Sequence, residues 1–291
     1  MKNILYLLAA VASLSTLVNT VCAQPFVLSD AVTNINGATF MVAGDLNGDG
    51  KPDLVSVSSG YGTFTVTTNA GNGIFVSNAT YSVGISAQLH AAAIADINGD
   101  GKPDIILSSP GNSSVVIFTN AGGGIFVSNA AYSLGNAPDY IVAQDINGDG
   151  KPDIITANFS HGTLTILTNA GGTFRLADTG VVVNSSSFPN SFAVADINGD
   201  GKPDIIAGDV DDGLIEVLTN AGGGIFVSNA VYASGSFGDG PESVVAADFN
   251  NDGKIDIATA NFDGSVTILT NAGNGILAMS QSFMTPGLGT P

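Results

Sequence analysis

The nine residues Asp45-Leu-Asn-Gly-Asp-Gly-Lys-Pro-Asp53 occur five times along the chain with small changes. The other copies begin at Asp96, Asp145, Asp196 and Asp248, so that successive copies start 51, 49, 51 and 52 residues apart. Self-similarity at a period near 50 residues is typical of solenoids, propellers and repeat arrays. We therefore expect one structural unit repeated five times.

A second segment keeps step with the first. Thr68-Asn-Ala-Gly-Asn-Gly-Ile-Phe-Val76 returns from Thr119, Thr219 and Thr270, and in altered form from Thr168. We call these stretches the Thr-Asn segments. Their Asn and Gly residues favour tight turns, and the Ile-Phe-Val that follows favours a strand. Each repeat therefore contains at least two turn signals at fixed places.

The residues between these segments indicate four short strands per repeat. Ile105-Ile106-Leu107 and Val115-Val116-Ile117 are continuous apolar runs that suit strands buried on both faces. In the second repeat the predicted strands are Leu89–Ala95, Asp104–Ser108, Val115–Thr119 and Ile125–Tyr132, with turns at Pro110–Asn112 and Asn120–Gly124. Four antiparallel strands in about 50 residues match a propeller blade. The predicted fold is all-β, a β-propeller with five visible repeats.

The strand count leaves the closure of the ring open. Residues 26–32 resemble the last strand of a blade but precede the first repeat, whereas the fifth repeat has its own last strand at about Ile276–Phe283. Five units of four strands plus one extra strand fit two arrangements. One is a five-bladed ring with a spare strand, and the other is part of a larger ring.

Composition and charge exclude several classes of partner. The 291 residues contain 7 Lys and Arg against 25 Asp and Glu, which gives a formal net charge of −18. Nucleic acids and anionic membrane surfaces repel such a polyanion. Only 11% of residues are charged while 44% are hydrophobic, so the chain is unlike a disordered acidic tail.

The first 23 residues have the pattern of a secretory signal peptide. A basic Lys2 precedes an apolar run, and Val21-Cys22-Ala23 resembles a cleavage site. The alternatives are an uncleaved membrane anchor and lipidation at Cys22. Cleavage would leave residues 24–291 as the repeat domain, with no cysteine and no later apolar segment long enough to span a bilayer. We expect a secreted, cell-surface or periplasmic protein that is stabilised without disulfides.

The recurring nine-residue stretch has the donor chemistry of a calcium loop. In the fourth copy, side-chain oxygens stand at positions 1, 3, 5 and 9, and Gly201 at position 6 permits the sharp turn that lets them converge. The main-chain carbonyl at position 7 can add a fifth oxygen, and we expect the lysine ammonium there to point to solvent. Calcium takes six to eight oxygen ligands and tolerates irregular geometry, whereas zinc prefers nitrogen and sulfur.

We predict about five Ca²⁺ ions, one per loop. We call the five stretches the Asp loops. The predicted ligands, in which each lysine contributes its carbonyl, are Asp45, Asn47, Asp49, Lys51, Asp53, Asp96, Asn98, Asp100, Lys102, Asp104, Asp145, Asn147, Asp149, Lys151, Asp153, Asp196, Asn198, Asp200, Lys202, Asp204, Asp248, Asn250, Asp252, Lys254 and Asp256.

The Asp loops have two other interpretations. Asp, Asn and Gly form good turns without a metal, but five copies retain all four side-chain oxygens and hold 15 of the 25 acidic residues. An EF-hand needs Glu at position 12. That position holds Ser56, Leu107, Thr156, Ala207 and Thr259, so the EF-hand is excluded.

The Asp-x-Asn-x-Asp-Gly-x-x-Asp loop, paired with Asn-x-Gly-x-Gly-x-Phe at a spacing near 50 residues, resembles the FG-GAP (VCBS-type) repeats of integrin-α-like β-propellers. The resemblance covers about residues 24–291. It implies that each loop joins the first two strands of a blade and binds calcium. The usual ring in that family has seven blades, so five repeats are a departure. Family members serve in adhesion, in carbohydrate binding, or as modules attached to enzymes.

No catalytic constellation stands out from the remaining residues. His90 and His161 are isolated, and we expect structural or solvent-facing roles for both. A glycosidase would need a pair of carboxylates, and the cluster Asp209, Asp211 and Asp212 could supply one or bind a further cation. A solvated hairpin is the favoured interpretation of that cluster. The chain is therefore not predicted to be an enzyme.

We expect a secreted calcium-binding propeller that acts as a non-catalytic binding or adhesion module for an extracellular protein or glycan. A lectin-like propeller is one alternative, since tyrosines could stack on sugars. Tyr81, Tyr132 and Tyr232 recur with the repeat, however, which suits packing better. The other alternative is the scaffold of a polysaccharide-active enzyme.

Overall fold

The computed structural model describes residues 37–182, 189–235 and 239–284. These residues form β-strands, joined by turns that include four three-residue 3-10 helices. The predicted signal peptide of residues 1–23 and the predicted strand at 26–32 lie outside the described residues. Within the described ranges, no helix has the length and apolarity that crossing a membrane requires.

The strands follow the repeat. They are β1 Phe40–Gly44, β2 Asp53–Ser58, β3 Thr63–Gly71, β4 Ile74–Ser82, β5 Ala92–Ala95, β6 Asp104–Ser109, β7 Ser114–Gly122, β8 Ile125–Ser133, β9 Tyr140–Gln144, β10 Asp153–Asn158, β11 Thr163–Asn169, β12 Phe174–Val182, β13 Pro189–Ala195, β14 Asp204–Asp209, β15 Leu214–Asn220, β16 Phe226–Ala233, β17 Pro241–Ala247, β18 Asp256–Asn261, β19 Ser265–Asn271 and β20 Leu277–Met284.

Each repeat forms one four-stranded sheet whose strands lie in chain order. The orders are β1-β2-β3-β4, β5-β6-β7-β8, β12-β11-β10-β9, β13-β14-β15-β16 and β17-β18-β19-β20. Neighbouring strands pair antiparallel, as β5–β6, β6–β7 and β7–β8 do in the second sheet. Five such sheets of about 50 residues confirm the predicted all-β propeller fold. The predicted last strand near 276–283 is also confirmed, as β20.

The second repeat shows where the predicted boundaries hold and where they fail. The predicted second and fourth strands match β6 and β8 within one residue, and Pro110–Asn112 is a 3-10 turn. The first strand is shorter than predicted and starts at Ala92. The third strand continues to Gly122, through residues predicted as a turn, because Gly122 still pairs with Ile125. The turn itself is therefore shorter than predicted.

The two middle strands of each sheet supply the core, as their apolar runs predict. All six residues of β6 are buried, and Val115 and Ile117 on β7 are also buried. Most residues of the last strands β4, β8 and β16 are exposed, with apolar Val76 and Val127 among them. A sheet whose middle strands are apolar on both faces requires cover from both sides.

The chain packs as two compact units, one with the residues up to Ala143 together with Asn169–Phe174, the other with Gln144–Thr168 together with the residues from Arg175 onward. In the second unit, an apolar cluster joins the fourth and fifth sheets. Its members are Ile197, Ile206, Ile215, Val217, Val244, Ile257, Leu269 and Leu277. Burial of side chains of this size stabilises the unit by about 1.5–3 kcal/mol per residue.

Candidate metal centre

Each Asp loop connects the first strand of a sheet to the second. In the second repeat, the loop begins at Asp96, directly after β5, and its ninth residue, Asp104, opens β6. The other four loops occupy the same place between β1 and β2, β9 and β10, β13 and β14, and β17 and β18. This location is the one that the family resemblance implied.

The aspartate at position 1 organises the loop by accepting main-chain hydrogen bonds. In the second loop, Asp96 Oδ1 accepts the N–H groups of Gly99 at 2.8 Å and Asp100 at 3.1 Å, and its Oδ2 accepts the N–H of Gly101 at 2.7 Å. A carboxylate that gathers successive N–H groups closes the backbone around itself. The loop is therefore folded locally, by its own residues.

Left-handed backbone at two positions makes this closure possible. Gly99 at position 4 has φ +78° and Gly101 at position 6 has φ +81°. Residues with a Cβ disfavour such angles, with Asn the best tolerated. The fifth loop agrees, since its position 4 is Asn251 with φ +60°. The prediction that the glycine at position 6 provides the sharp turn is confirmed.

The oxygens at positions 3 and 5 also accept hydrogen bonds from the loop. Asn98 Oδ1 accepts the N–H of Asp100 at 2.8 Å, and Asp100 Oδ1 accepts the N–H of Lys102 at 2.9 Å. The other four loops repeat both contacts at 2.8–2.9 Å. These bonds fix the side chains of positions 3 and 5 within the loop.

The lysine at position 7 is exposed to solvent as predicted, with 41–47% of its side chain accessible, but its ammonium also has a partner that was not predicted. Its ammonium forms an ion pair with the position-5 aspartate in every loop, at 3.0, 3.0, 3.4, 2.9 and 3.3 Å from the first to the fifth. Hydrogen bonding to the lysine holds the pKa of Asp49, Asp100 and Asp200 below the ordinary value.

The aspartate at position 9 is buried under the loop. Asp104 is fully buried; its Oδ2 accepts the N–H of Ile97 at 3.3 Å and its Oδ1 accepts the N–H of Asn120 at 2.8 Å. Burial raises the pKa of Asp104, and the nearby charges of Asp100 and Asp96 raise it further. The same causes, burial first, raise the pKa of Asp53 and Asp204.

The donor chemistry of the Asp loops fits calcium, although their carboxylates are held by internal contacts. Three carboxylates and one amide oxygen lie within nine residues, and the pKa of the buried one responds to the charges of the other two. Across residues 37–182, 189–235 and 239–284, no three Asp, Glu, His or Cys side chains are gathered as a preformed metal cluster. Ligation by these residues stays a prediction.

The Thr-Asn segment contributes a residue that sequence reasoning did not assign to the site. Asn120 donates from Nδ2 to the carbonyl of Leu46 in the preceding Asp loop at 2.8 Å, and to the carbonyl of Pro103 in its own loop at 3.0 Å. Asn220 does the same with Ile146 and Pro203. The sequence did contain a signal for this residue, because an asparagine recurs 23 or 24 residues after the first aspartate of each Asp loop.

The recurring tyrosines pack between repeats, as their spacing suggested. Tyr81 Oη accepts the N–H of Phe126 in the next repeat at 3.0 Å, and the Tyr81 and Phe126 rings make an edge contact at 6.1 Å. Tyr132 accepts the N–H of Phe174 at 3.3 Å, and Tyr232 accepts the N–H of Leu277 at 3.3 Å. These three hydroxyls therefore have structural partners.

The remaining titratable candidates lie apart from the Asp loops. His90 Nδ1 lies 3.0 Å from Asp139 Oδ1, which fits the structural role expected for it, and His161 is exposed at the end of a 3-10 turn. In the acidic cluster, Asp211 is exposed but Asp209 is only 3% exposed. The interpretation of that cluster as a fully solvated hairpin is therefore wrong for Asp209.

The FG-GAP-like repeat model matches the chain over residues 45–107, 97–156, 145–207 and 196–259. These overlapping matches run from the first Asp loop to the fifth. The chain belongs to the FG-GAP-like repeat family. No curated protein matches it in sequence. Each matched stretch of this FG-GAP-like chain runs from one Asp loop to just beyond the next. The matched repeat unit therefore has the same spacing as the Asp loops.

Solved structures share the fold of this FG-GAP-like chain. A lectin from Agrocybe aegerita that recognises non-reducing terminal N-acetylglucosamine aligns with TM-score 0.54 and 23% identity, over 82% of this chain and 64% of the lectin. BBS1N, solved in complex with ARL6DN, aligns with TM-score 0.58 and 11% identity, over 86% and 69% of the two chains.

A protein of unknown function from Desulfotomaculum acetoxidans aligns with TM-score 0.58 and 13% identity, over 80% of this chain and 67% of that one. All three identities are low, so the similarity establishes the propeller fold alone. The FG-GAP-like chain spans less than two thirds of the lectin's length.

Proposed function

We propose that this FG-GAP-like propeller is a secreted, non-catalytic binding module that folds around calcium and binds an extracellular protein or glycan. The observation that carries the proposal is the Asp loop itself, repeated five times with the same oxygen donors at positions 1, 3, 5 and 9. An ion with a preference for oxygen ligands fits this set. Its charge would also offset the repulsion among three carboxylates in nine residues.

The role proposed for calcium is structural. The buried aspartate at position 9, for example Asp104, begins the second strand of its sheet, and Asn120 connects the loops of two repeats. An ion held by one loop therefore stabilises that loop, the strand below it and the neighbouring repeat together. Cleavage of the predicted signal peptide removes the only cysteine, so the exported chain forms no disulfide. Bound ions then stabilise it in place of disulfides.

Thermal unfolding of the full chain with and without calcium tests this proposal. Binding to the folded state alone raises stability by mass action, by about 2.7 kcal/mol for one site at a hundredfold excess over its Kd. We expect the melting temperature to rise with millimolar Ca²⁺ and to fall with a chelator. Equal melting temperatures in both conditions would refute the calcium proposal, and Mg²⁺ at the same concentration controls for ionic strength.

A glycan ligand is the second candidate, and two observations favour it. One of the solved structures that share the fold is a glycan-recognising lectin. The chain also exposes Tyr61 and Phe262, each 62% exposed, in the turns after the second strands of the first and fifth sheets. Exposed rings provide flat apolar surfaces on which sugars stack.

A glycan array read in the presence of calcium distinguishes the two ligand classes. Binding that is lost in Tyr61→Ala or Phe262→Ala, but retained in Tyr81→Phe, would identify a glycan site on these turns. If no immobilised glycan binds, terminal N-acetylglucosamine included, the glycan ligand is excluded and an extracellular protein is the proposed ligand. Hydrolysis or elimination products appearing in solution would overturn the non-catalytic assignment.

A further inference from the structure

A diagonal pair of positions on the second and third strands carries buried polar residues in most repeats. The pair joins the last residue of the second strand to a residue near the start of the third strand on the same face of the sheet. Its occupants are Ser58 and Thr65, Ser109 and Val116, Asn158 and Thr165, Asp209 and Glu216, and Asn261 and Thr267.

Two sheets show that side chains at this diagonal meet. Asn158 Nδ2 donates to Thr165 Oγ1 at 2.8 Å in the third sheet. Asn261 Nδ2 donates to Thr267 Oγ1 at 3.0 Å in the fifth. In each case a neutral amide donor faces a hydroxyl acceptor, although Asn261 Oδ1 has no partner among the described residues.

The fourth sheet places two carboxylates at the same diagonal. Ala207 pairs with Glu216 and Asp209 pairs with Leu214, which puts Asp209 and Glu216 on one face of adjacent strands. Asp209 is 3% exposed and Glu216 is 4% exposed. Both replace a neutral residue of the sister sheets with an anion, and neither carboxylate carries a donor for the other.

Each carboxylate has one oxygen with a partner and one without. Asp209 Oδ1 accepts the N–H groups of Asp211 at 3.0 Å and Asp212 at 3.1 Å, and Glu216 Oε1 accepts the hydroxyl of Ser228. Asp209 Oδ2 and Glu216 Oε2 are buried and accept no hydrogen bond from the residues that the structure describes. In the described part of the chain, neither residue joins an ion pair.

We propose that Asp209 and Glu216 together bind one divalent cation of the oxygen-preferring class, at a site distinct from the five Asp loops. Leaving two buried carboxylate oxygens without partners is costly. A shared proton would satisfy one hydrogen bond but leave one buried negative charge. A divalent cation neutralises both carboxylates and binds both free oxygens. The absence of histidine and cysteine from the pair favours Ca²⁺ over zinc.

Metal counting on the full chain tests this site. Asp209→Asn combined with Glu216→Thr gives the fourth sheet the pair that the third and fifth sheets already have, so the variant is expected to fold. Equilibrium dialysis against millimolar Ca²⁺, with metal and protein then quantified, should show one Ca²⁺ fewer per chain in the variant. Glu242→Thr, which removes a partly buried carboxylate from the first strand of the fifth sheet, should leave the count unchanged.

The difference between wild type and variant does not depend on how many ions the Asp loops hold, so it separates this site from the proposed function. An equal count in the two proteins overturns the proposal. Should the double variant fail to fold, a crystal structure of the wild type with Ca²⁺ decides. Density within about 2.3–2.6 Å of both Asp209 Oδ2 and Glu216 Oε2 supports the site, and its absence refutes it.

Discussion

The side-chain amide of Asn120 donates a hydrogen bond to the main-chain carbonyl of Leu46, 2.8 Å away in space and 74 residues away in sequence. Leu46 is position 2 of the first Asp loop, and Asn120 belongs to the next repeat. The contact recurs from Asn169 to Ile97, Asn220 to Ile146 and Asn271 to Ile197, at 2.7–2.8 Å. In the second to fifth repeats, one asparagine therefore links the sheet that carries it to the preceding Asp loop.

Replacing Asn120 with alanine should destabilise the chain strongly. The substitution removes the bonds to the Leu46 and Pro103 carbonyls and the acceptor of the Gly122 N–H, all near buried positions. With about 0.5–1.5 kcal/mol for each bond, the free energy of unfolding should fall by about 2–4 kcal/mol. Urea denaturation measures this. Asn129→Ala, an exposed residue of the same repeat, is the control and should change stability by less than about 0.5 kcal/mol.

The predictions from sequence were most accurate where the backbone itself dictates the residue. The Asp loops were identified from their repetition, from the side-chain oxygens at positions 1, 3, 5 and 9, and from the glycine at position 6, where the backbone is left-handed. The middle strands were identified because their apolar runs, such as Ile105-Ile106-Leu107, are buried on both faces.

The features that were not predicted are contacts and burial that no local sequence pattern indicates. The link from Asn120 to Leu46 joins distant residues, so neither periodicity nor turn chemistry reports it. The burial of Asp209 was missed because sequence alone does not distinguish an acidic turn in solvent from the end of a strand that neighbouring residues cover. The ion pair of Lys102 with Asp100 was missed because the sequence argument gave the ammonium no partner.

Removing a lysine ammonium should strengthen calcium binding at its loop. Lys102 Nζ lies 3.0 Å from Asp100 Oδ2, so it competes with a bound cation for a predicted ligand. Exposed ion pairs are weak, and Lys102→Gln should therefore lower the Kd of the second loop by only a few-fold. Calcium titration followed at the Gly101 amide by NMR gives this Kd.

Arg175→Gln is the matched control for the lysine substitution, because it also removes one positive charge but lies on β12, outside the Asp loops. It should change the Kd of the second loop by less than Lys102→Gln does. Equal changes in the two variants would attribute the effect to net charge alone. Weaker binding in Lys102→Gln would contradict the competition argument.

Close packing at Gly62 should make this residue irreplaceable. Gly62 has φ +59°, and a Cβ there would lie 1.9 Å from the carbonyl oxygen of Gly84. Gly62→Ala therefore requires the backbone to move as well as to adopt a left-handed angle, and should cost more than about 2 kcal/mol of stability. Gly60→Ala, in the same turn with no atom within 4 Å, should cost less than about 1 kcal/mol. Similar urea midpoints for the two variants would contradict the close approach of Gly84 to Gly62.

The metal-free chain should become more stable as the pH falls from neutral toward the ordinary aspartate pKa of 3.8. Burial raises the pKa of Asp53, Asp104 and Asp204 above the ordinary value of 3.8. A group with a higher pKa in the folded state stabilises the fold below its unfolded pKa and loses that contribution as the pH rises through the folded pKa. Asp49, Asp100 and Asp200 have lowered pKa values, so their contribution is lost only below 3.8.

Urea denaturation of metal-free protein at several pH values measures this slope, and a parallel series in millimolar calcium provides the contrast. With calcium present, protons compete with the ion for the same carboxylates, so stability should fall over the pH range in which it rises without the metal. The two series should therefore slope in opposite directions. Parallel curves with and without calcium would mean that the ion does not bind the buried aspartates of the Asp loops.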